Sequence, residues 1–285
     1  MKTILVPTDF SPQAEYALYA ACQLAARFKA TVHLVHVLEF PMTDEEAIVT
    51  RVEVLPVEYL RKIKRETEER LRKVAVKKQE EGLNITYEVR VGNPYRSISN
   101  ALLAKEVDLV VMGSKGASGS KEILLGSNAE RMVRFAHCPV LIIKDKTDLS
   151  NIKNIVFATA LLDEESEVIK ALSKLQHTFE AHLHVVRINT LSNFLDDPSV
   201  MQKLQKFAKT HHLKDYSLHT FSDIGEEDGI VHFANEVGAD LIALATHGNR
   251  GILHLLEGSI AEDIANHAKF PVWTMSLRKH HSRKK

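Results

Sequence analysis

Asp108-Leu109-Val110-Val111-Met112 is a short apolar run that ends in the turn Gly113-Ser114-Lys115-Gly116, and nine residues separate that turn from Gly126-Ser127. Asp240-Leu241-Ile242-Ala243-Leu244 repeats the run, ends in Ala245-Thr246-His247-Gly248, and is followed after the same interval by Gly258-Ser259. A spacing kept that closely marks an internal repeat, and a repeat of more than a hundred residues is a domain said twice. The fold question then becomes what one copy looks like.

Outward from these runs, strand-like and helix-like segments alternate. In the first half, Thr3 to Pro7 reads as a strand, and Ser11-Pro12 after it is a cap residue followed by a proline suited to the first helical position. Ala14, Ala17, Leu18, Ala21, Leu24, Ala25 and Phe28 then recur at helical spacing. A strand at 31–37, an amphipathic helix at about 56–81, a strand at 85–91, a helix at 95–105, the run at 108–112, a helix at 127–136 and a strand at 139–143 complete the copy. The second half follows the same order: strands at 154–158, 182–188, 217–222, 240–244 and 271–275, with helices near 164–179, 199–211, 229–237 and 259–268. Alternation of this kind predicts two α/β units with largely parallel sheets. The polar stretch Asp145 to Asn151 reads as a linker, giving expected domains at 1–146 and 152–277 and a basic tail at 278–285.

Composition narrows the function. Of 285 residues, 37 are Lys or Arg and 37 are Asp or Glu, so the neutral balance gives no general attraction to nucleic acid or an anionic membrane. Two cysteines, Cys22 and Cys138, lack C-x-x-C spacing, which argues against a disulfide framework or a structural zinc site. The opening residues run straight into a strand without a signal-peptide pattern, and no apolar run reaches spanning length, so a cytoplasmic protein is expected. Fifteen histidines invite a metal hypothesis, with His182 and His184 on one strand face and His211, His212, His247 and His254 in the same half. No cysteine or carboxylate spacing completes a ligand set, so dispersed histidines and no metal site are the expectation. The charges from Arg61 to Glu81 read as a solvated helix face, and Asp44 to Pro56 as a flap or long connection.

The chemistry gathers at strand ends. In a doubly wound sheet, ligands bind beyond the carboxyl ends of the strands, where the winding reverses. Asp9 follows the first strand and Gly113 the fourth, so neighbouring strands would set them on either side of one crevice. There a carboxylate accepts ribose hydroxyls, glycines let backbone amides approach a polyphosphate, and the helix opening at Gly126-Ser127 attracts anions. Taken singly, each part has a plain structural reading: Ser127 and Glu130 form a capping-box pattern, as do Ser259 and Glu262, and glycines after strands make turns. P-loop and dinucleotide fingerprints are absent, and no catalytic constellation is legible.

In combination, Val6-Pro7-Thr8-Asp9-Phe10-Ser11, His36-Val37, Val91-Gly92-x-Pro94 and Gly113-x2-Gly116-x9-Gly126-Ser127-Asn128 resemble the ATP-binding branch of the universal stress protein family, over almost the whole chain as a tandem member. The resemblance implies a five-stranded parallel sheet in the order 3-2-1-4-5, flanked by helices and paired through its last strand, so that the two halves form a pseudo-dimer, with a homodimer as a further option. It implies that Pro7, Thr8 and Asp9 lie along the nucleoside with Asp9 on the ribose, and that the main chain of Val37 meets the adenine edge. Met112, Gly113, Lys115 and Gly116 would approach ribose and phosphates, and Gly126, Ser127 and Asn128 would hold the phosphate tail, with Mg2+ arriving on the nucleotide. In the second half Ala158-Thr159-Ala160 replaces Pro7-Thr8-Asp9 and Ala245 replaces Gly113, which predicts a retained fold with weak or no ATP binding. The expected function is a stress-response regulator binding ATP in its first half; a nucleotide-free interaction module and a slow ATPase are the alternatives.

Overall fold

The computed structural model describes residues 1–39, 57–116, 125–246, 261, 263–265 and 268–277. Its first half contains β1 (Thr3–Pro7), α1 (Pro12–Phe28), β2 (Thr31–Leu38), α2 (Val57–Glu80), β3 (Asn84–Val91), α3 (Pro94–Ala104), β4 (Leu109–Gly113), α4 (Ser127–Phe135) and β5 (Val140–Ile143). The second half contains β6 (Asn154–Ala158), α5 (Ser166–Phe179), β7 (His182–Asn189), α6 (Asp197–Thr210), β8 (Tyr216–Ser222), α7 (Glu226–Glu236), β9 (Leu241–Thr246) and β10 (Val272–Ser276). Much of the helix expected at 259–268, the expected flap at 44–56 and the basic tail lie outside the described residues, as do His247, Gly248, His254, Gly258, Ser259 and Glu262.

Local signals set the helix ends. Ser11 Oγ accepts the Ala14 amide at 3.3 Å and Pro12 takes the first turn, where its missing N–H costs nothing. Lys29 closes α1 in the left-handed region at φ 53°, and Glu180 closes α5 at the same angle. Asn93 and Asp196, which the sequence reading passed over, cap α3 and α6 through their side chains and draw each helix start a residue or two earlier than expected.

The sheet order is β3-β2-β1-β4-β5-β10-β9-β6-β7-β8. Each half thus has the expected order 3-2-1-4-5 with parallel pairing throughout, and the halves fuse where β5 and β10 run antiparallel, Leu141 opposite Trp273. The motif aspartates have a structural task that the sequence left hidden. Asp108 Oδ2 accepts the amides of Lys2 and Thr3 at 2.5 and 3.1 Å, and Asp240 Oδ2 accepts those of Lys153 and Asn154 at 2.7 and 2.9 Å. Each carboxylate pins the start of its half's first strand beside the fourth.

Two apolar layers flank the sheet. One holds Ile4, Leu24, Leu71, Phe157, Leu172, Leu204 and Trp273; the other holds Leu5, Ile98, Met132, Ile142, Ile230 and Ile264. The linker is less polar than its composition suggests. Leu149 within it and Ile152 just after it are buried, and Gln23 of α1 accepts from the Leu149 amide at 2.8 Å while donating to Asp148 at 2.6 Å. Contacts between α1 and α5 continue the join: Arg27 donates to the Thr178 carbonyl at 3.2 Å, and Phe28 meets Phe179 edge-on at 6.1 Å. Among the described residues, no helix is long and apolar enough to cross a membrane.

Candidate functional site

β1 pairs with β2 on one side and β4 on the other, so the winding reverses between β1 and β4 and opens a crevice beyond their carboxyl ends. Asp9 and the Gly113–Gly116 turn stand on its two rims. A Cβ on Gly116 would lie 2.7 Å from Asp9 Oδ2, so a side chain there would displace the carboxylate. Asp9 Oδ1 accepts the Ser11 amide at 3.0 Å, which fixes the side chain over the turn. Gly126 closes the far side, its amide donating to the Ser114 carbonyl at 2.8 Å. Residues separated by more than a hundred positions thus meet at one place.

The three glycines answer to different causes. A Cβ on Gly113 would strike the Gln13 backbone of α1 at 2.8 Å, so close packing of that helix already requires glycine. A Cβ on Gly116 would meet only the tip of the Asp9 side chain, so glycine there lets the carboxylate lie over the turn. A Cβ on Gly126 would meet ordinary contacts, the nearest being the Ser114 carbonyl at 3.5 Å, and nothing in the packing requires glycine there.

Other expected site residues divide similarly. Met112 is buried, so only its main chain can face the crevice. Thr8 is taken up by the turn: its amide donates to Val35, its hydroxyl accepts from the Phe10 amide at 3.1 Å, and its carbonyl accepts from His36 Nδ1 at 2.7 Å. Val35 bonds toward β1, so Val37, two residues on, points its amide and carbonyl to the same side, past the place where β1 has ended. Pro7 ends β1, and Lys115 is half-buried between the two glycines. Ser127 is exposed and Asn128 half-buried in the first turn of α4. The capping-box reading of Ser127 is corrected: Gly126 is the cap residue, no side chain caps α4, and Glu130 pairs with Arg134 at 3.6 Å.

Sequence reasoning missed a stack beside this crevice. Phe10, held at φ 62°, lies 4.9 Å from the His36 ring, and the Arg70 guanidinium sits 3.8 Å from the Phe10 centroid. Burial lowers the His36 pKa against the raising effects of its bond to Thr8 and of Asp9, so the neutral imidazole donates from Nδ1. Phe10 fell in the quoted motif, but Arg70 could not be told from the charged face around it. The rest of that face behaves as expected, with Lys62–Glu66 and Lys64–Glu68 at 4.0 and 3.7 Å.

The second half keeps the same turn with other side chains. Leu161 also sits at φ 62°, and its amide donates to Thr159 Oγ1 at 2.8 Å. Ala160 stands for Asp9, and the carboxylate nearby, Glu165, is fully buried with Thr159 Oγ1 donating to it at 2.5 Å. Burial pushes its pKa up to about 7. Where β2 carries His36, β7 carries Arg187, which donates to the Asn189 side chain and to the Asn193 carbonyl. Asn193 in turn donates to Glu226. The cavity left among Thr159, Arg187, Asn193 and Glu226 is about 60 Å³, far below the roughly 300 Å³ at which small-molecule sites begin.

Three of the histidines are clustered rather than dispersed. His182 Nε2, His184 Nδ1 and His219 Nε2 converge on Ser217 Oγ at 3.0, 3.2 and 2.7 Å, because positions two apart on adjacent strands share a face. Asp215 holds His182 Nδ1 at 2.7 Å. Among the described residues, no group of three or more His, Cys, Asp or Glu is arranged to hold a metal ion. Cys22 and Cys138 are buried free thiols, pushed up to about 11 and about 12 by burial.

Comparison with known proteins agrees with the doubled architecture. The family model described as the universal stress protein family matches twice, over residues 1–144 and 151–275. A universal stress protein of Methanocaldococcus jannaschii is 36% identical over 149 residues, covering 50% of this chain and 82% of the relative. One from Bacillus subtilis is 31% identical over 150 residues, covering 50% of this chain and 97% of the relative. A crystal structure of a universal stress protein from Archaeoglobus fulgidus superposes with a TM-score of 0.73 at 19% identity, covering 96% of both chains, so the two-unit fold recurs there at full length. With the family pattern present in both halves, the chain belongs to the universal stress protein family as a tandem, two-domain member.

Proposed function

We propose that this stress-response protein binds ATP in the first half, at the crevice between β1 and β4, and that the second half has lost that capacity. The observation that carries the reading is the meeting of Asp9 with Gly116 at the point where the winding reverses. A carboxylate there accepts ribose hydroxyls, and the main chain of Val37 offers an amide and a carbonyl to a base edge. Gly126 supports the phosphate end, because packing leaves its glycine unexplained and α4 begins there with no side-chain cap. Mg2+ would arrive on the phosphates, since no described cluster is built to hold a metal by itself.

On this reading the β5–β10 seam makes the halves a pseudo-dimer, with domains at 1–146 and 152–277. Two buried free thiols agree with a reducing compartment, the cytoplasm. Calorimetry of the full chain with ATP is expected to give one site per chain, weakened at least about tenfold in Asp9→Ala and in Gly116→Val. Two equal sites would overturn the asymmetry; no binding, with no adenine nucleotide in the freshly purified protein by mass spectrometry, would overturn the reading and favour an interaction module.

A further inference from the structure

Beside the turn of the second half lies a second cleft, open where the equivalent ground in the first half is filled. It opens between α6 and residues 160–161, encloses about 330 Å³, and is lined by Arg187, Lys203, Lys206 and His211 together with Leu161 and Phe207. Among the described residues, no acidic side chain lines it. In the first half the equivalent ground beside the turn is occupied: Phe10 lies against His36 and under Arg70. Leu161 replaces Phe10 and Arg187 replaces His36, so the plug is gone and a cation stands at the back of the space.

Arg187 is the telling group. It is half-buried, and its hydrogen bonds go to neutral partners: the Ile188 and Asn193 carbonyls and the Asn189 side chain. Among the described residues it makes no carboxylate ion pair within 4.0 Å, although Glu226 lies close enough to act on it through space. Lys203 and Lys206, one turn apart on the exposed face of α6, bring two more positive charges to the rim. Three features oppose an anion: Glu226 acts on Arg187 through space, the C-terminal end of α6 carries partial negative charge, and Asp196 is near enough to Lys203 to feel it. Glu226 is tied to Asn193 and Asp196 to the Ser199 amide, and neither lines the cleft, so the charged side chains that face the space are Arg187, Lys203 and Lys206.

From this we infer that the cleft between α6 and the Ala160–Leu161 turn binds a small organic anion, its charged group against Arg187, Lys203 and Lys206 and its apolar body against Leu161 and Phe207. The volume falls within the range of small-molecule sites, roughly 300–1,000 Å³, and the lining mixes apolar wall with converging charge as such sites do. This is a different place from the β1–β4 crevice and takes a different ligand, so the second half carries a ligand site of its own.

The test uses the full chain and two defined probes, phenyl phosphate and benzoate, which share an aromatic body and differ in the anionic group. Saturable binding at millimolar concentration or tighter is expected for at least one of them, and the better probe identifies the group as phosphate or carboxylate. Leu161→Phe refills the space as Phe10 does, and is expected to weaken binding by about tenfold or more. The exposed pair Lys203→Glu and Lys206→Glu, changed together, is expected to do the same without touching the core. Binding should persist in Asp9→Ala, which separates this site from the proposed nucleotide site. No saturation by either probe, or equal affinity in wild type, Leu161→Phe and the lysine reversal, would overturn it.

Discussion

The turns after β1 and β6 share a backbone and differ in cargo. Phe10 and Leu161 both sit at φ 62°, and Thr8 and Thr159 accept the same amide two residues on. On that common frame one half carries Asp9, Phe10 and His36, and the other Ala160, Leu161 and Arg187. A repeat therefore keeps the residues that make the turn and frees those that point out of it. The aspartates pinning β1 and β6 belong to the first kind, and the carboxylate over Gly116 to the second.

The largest effects should fall where the halves differ in chemistry. Losing a charge-assisted hydrogen bond costs about 1.5–3 kcal/mol, so Asp9→Ala is expected to weaken ATP by about 10- to 100-fold or more. Gly116→Val adds a clash with Asp9 and should do no better. The reverse change separates two explanations. Ala160→Asp returns the carboxylate to the second half, yet Arg187, Asn193 and Glu226 still leave only about 60 Å³ beside it. Calorimetry of that variant is expected to find one site, as in wild type; a second site would mean that the carboxylate alone distinguishes the halves.

Next in size are packing effects. Gly113→Ala would drive a Cβ into the Gln13 backbone and is expected to destabilise by about 1–3 kcal/mol. Ala245 holds the corresponding place without such a conflict, and there the chain enters α5 through a 3-10 turn at Asp163–Glu165. Ala245→Gly should cost about 1–2 kcal/mol, from backbone freedom and the loss of a buried methyl. A wild-type urea midpoint for Gly113→Ala would show that α1 does not press on Gly113.

The fold was legible because strand and helix periods alternate and because the interval from Gly116 to Gly126 returns from Gly248 to Gly258. The site was half legible. Asp9 and the glycines announce themselves by type, but a sequence cannot say that Gly113 serves α1 while Gly126 serves no packing contact, since both are simply glycine after a strand. Arg70 was hidden for the opposite reason: one cation among many on a charged helix has no local signature, and only the crossing of α2 over Phe10 selects it. Caps at Asn93 and Asp196 were readable residue types passed over in favour of the apolar period that follows them.

Glu165 gives a smaller, pH-dependent contrast. Its pKa of about 7 when folded exceeds the 4.5 of a free glutamate, so below pH 4.5 both states hold the proton and the contribution is complete. As pH rises toward 7 the unfolded chain releases the proton that the folded chain retains, and stability is lost. Glu165→Gln is expected to be neutral near pH 5 and to stabilise by about 1–3 kcal/mol at pH 8. Thermal unfolding of both chains across that range measures it, and parallel curves would mean that Glu165 is solvated.

The smallest effect compares two histidines at one register position. His33 in β2 bonds Thr86 at 2.7 Å and Glu88 at 3.1 Å; in the same places on β7 and β8, His184 meets Ser217 and, through it, His219. Burial lowers the pKa of His184 and of His219, and the charge of His182 lowers both further. Below about pH 6.5 the unfolded chain takes up protons that this group resists, so stability is complete above that value and falls as pH drops through it. His33 feels the same burial but has a carboxylate to receive its proton. His219→Glu copies that arrangement into the second half, and is expected to flatten the acid limb of the stability curve by less than about 1 kcal/mol, since the imidazoles are partly solvated. If wild type and His219→Glu lose stability with the same slope between pH 7 and pH 5, the three-histidine group does not set the acid limb.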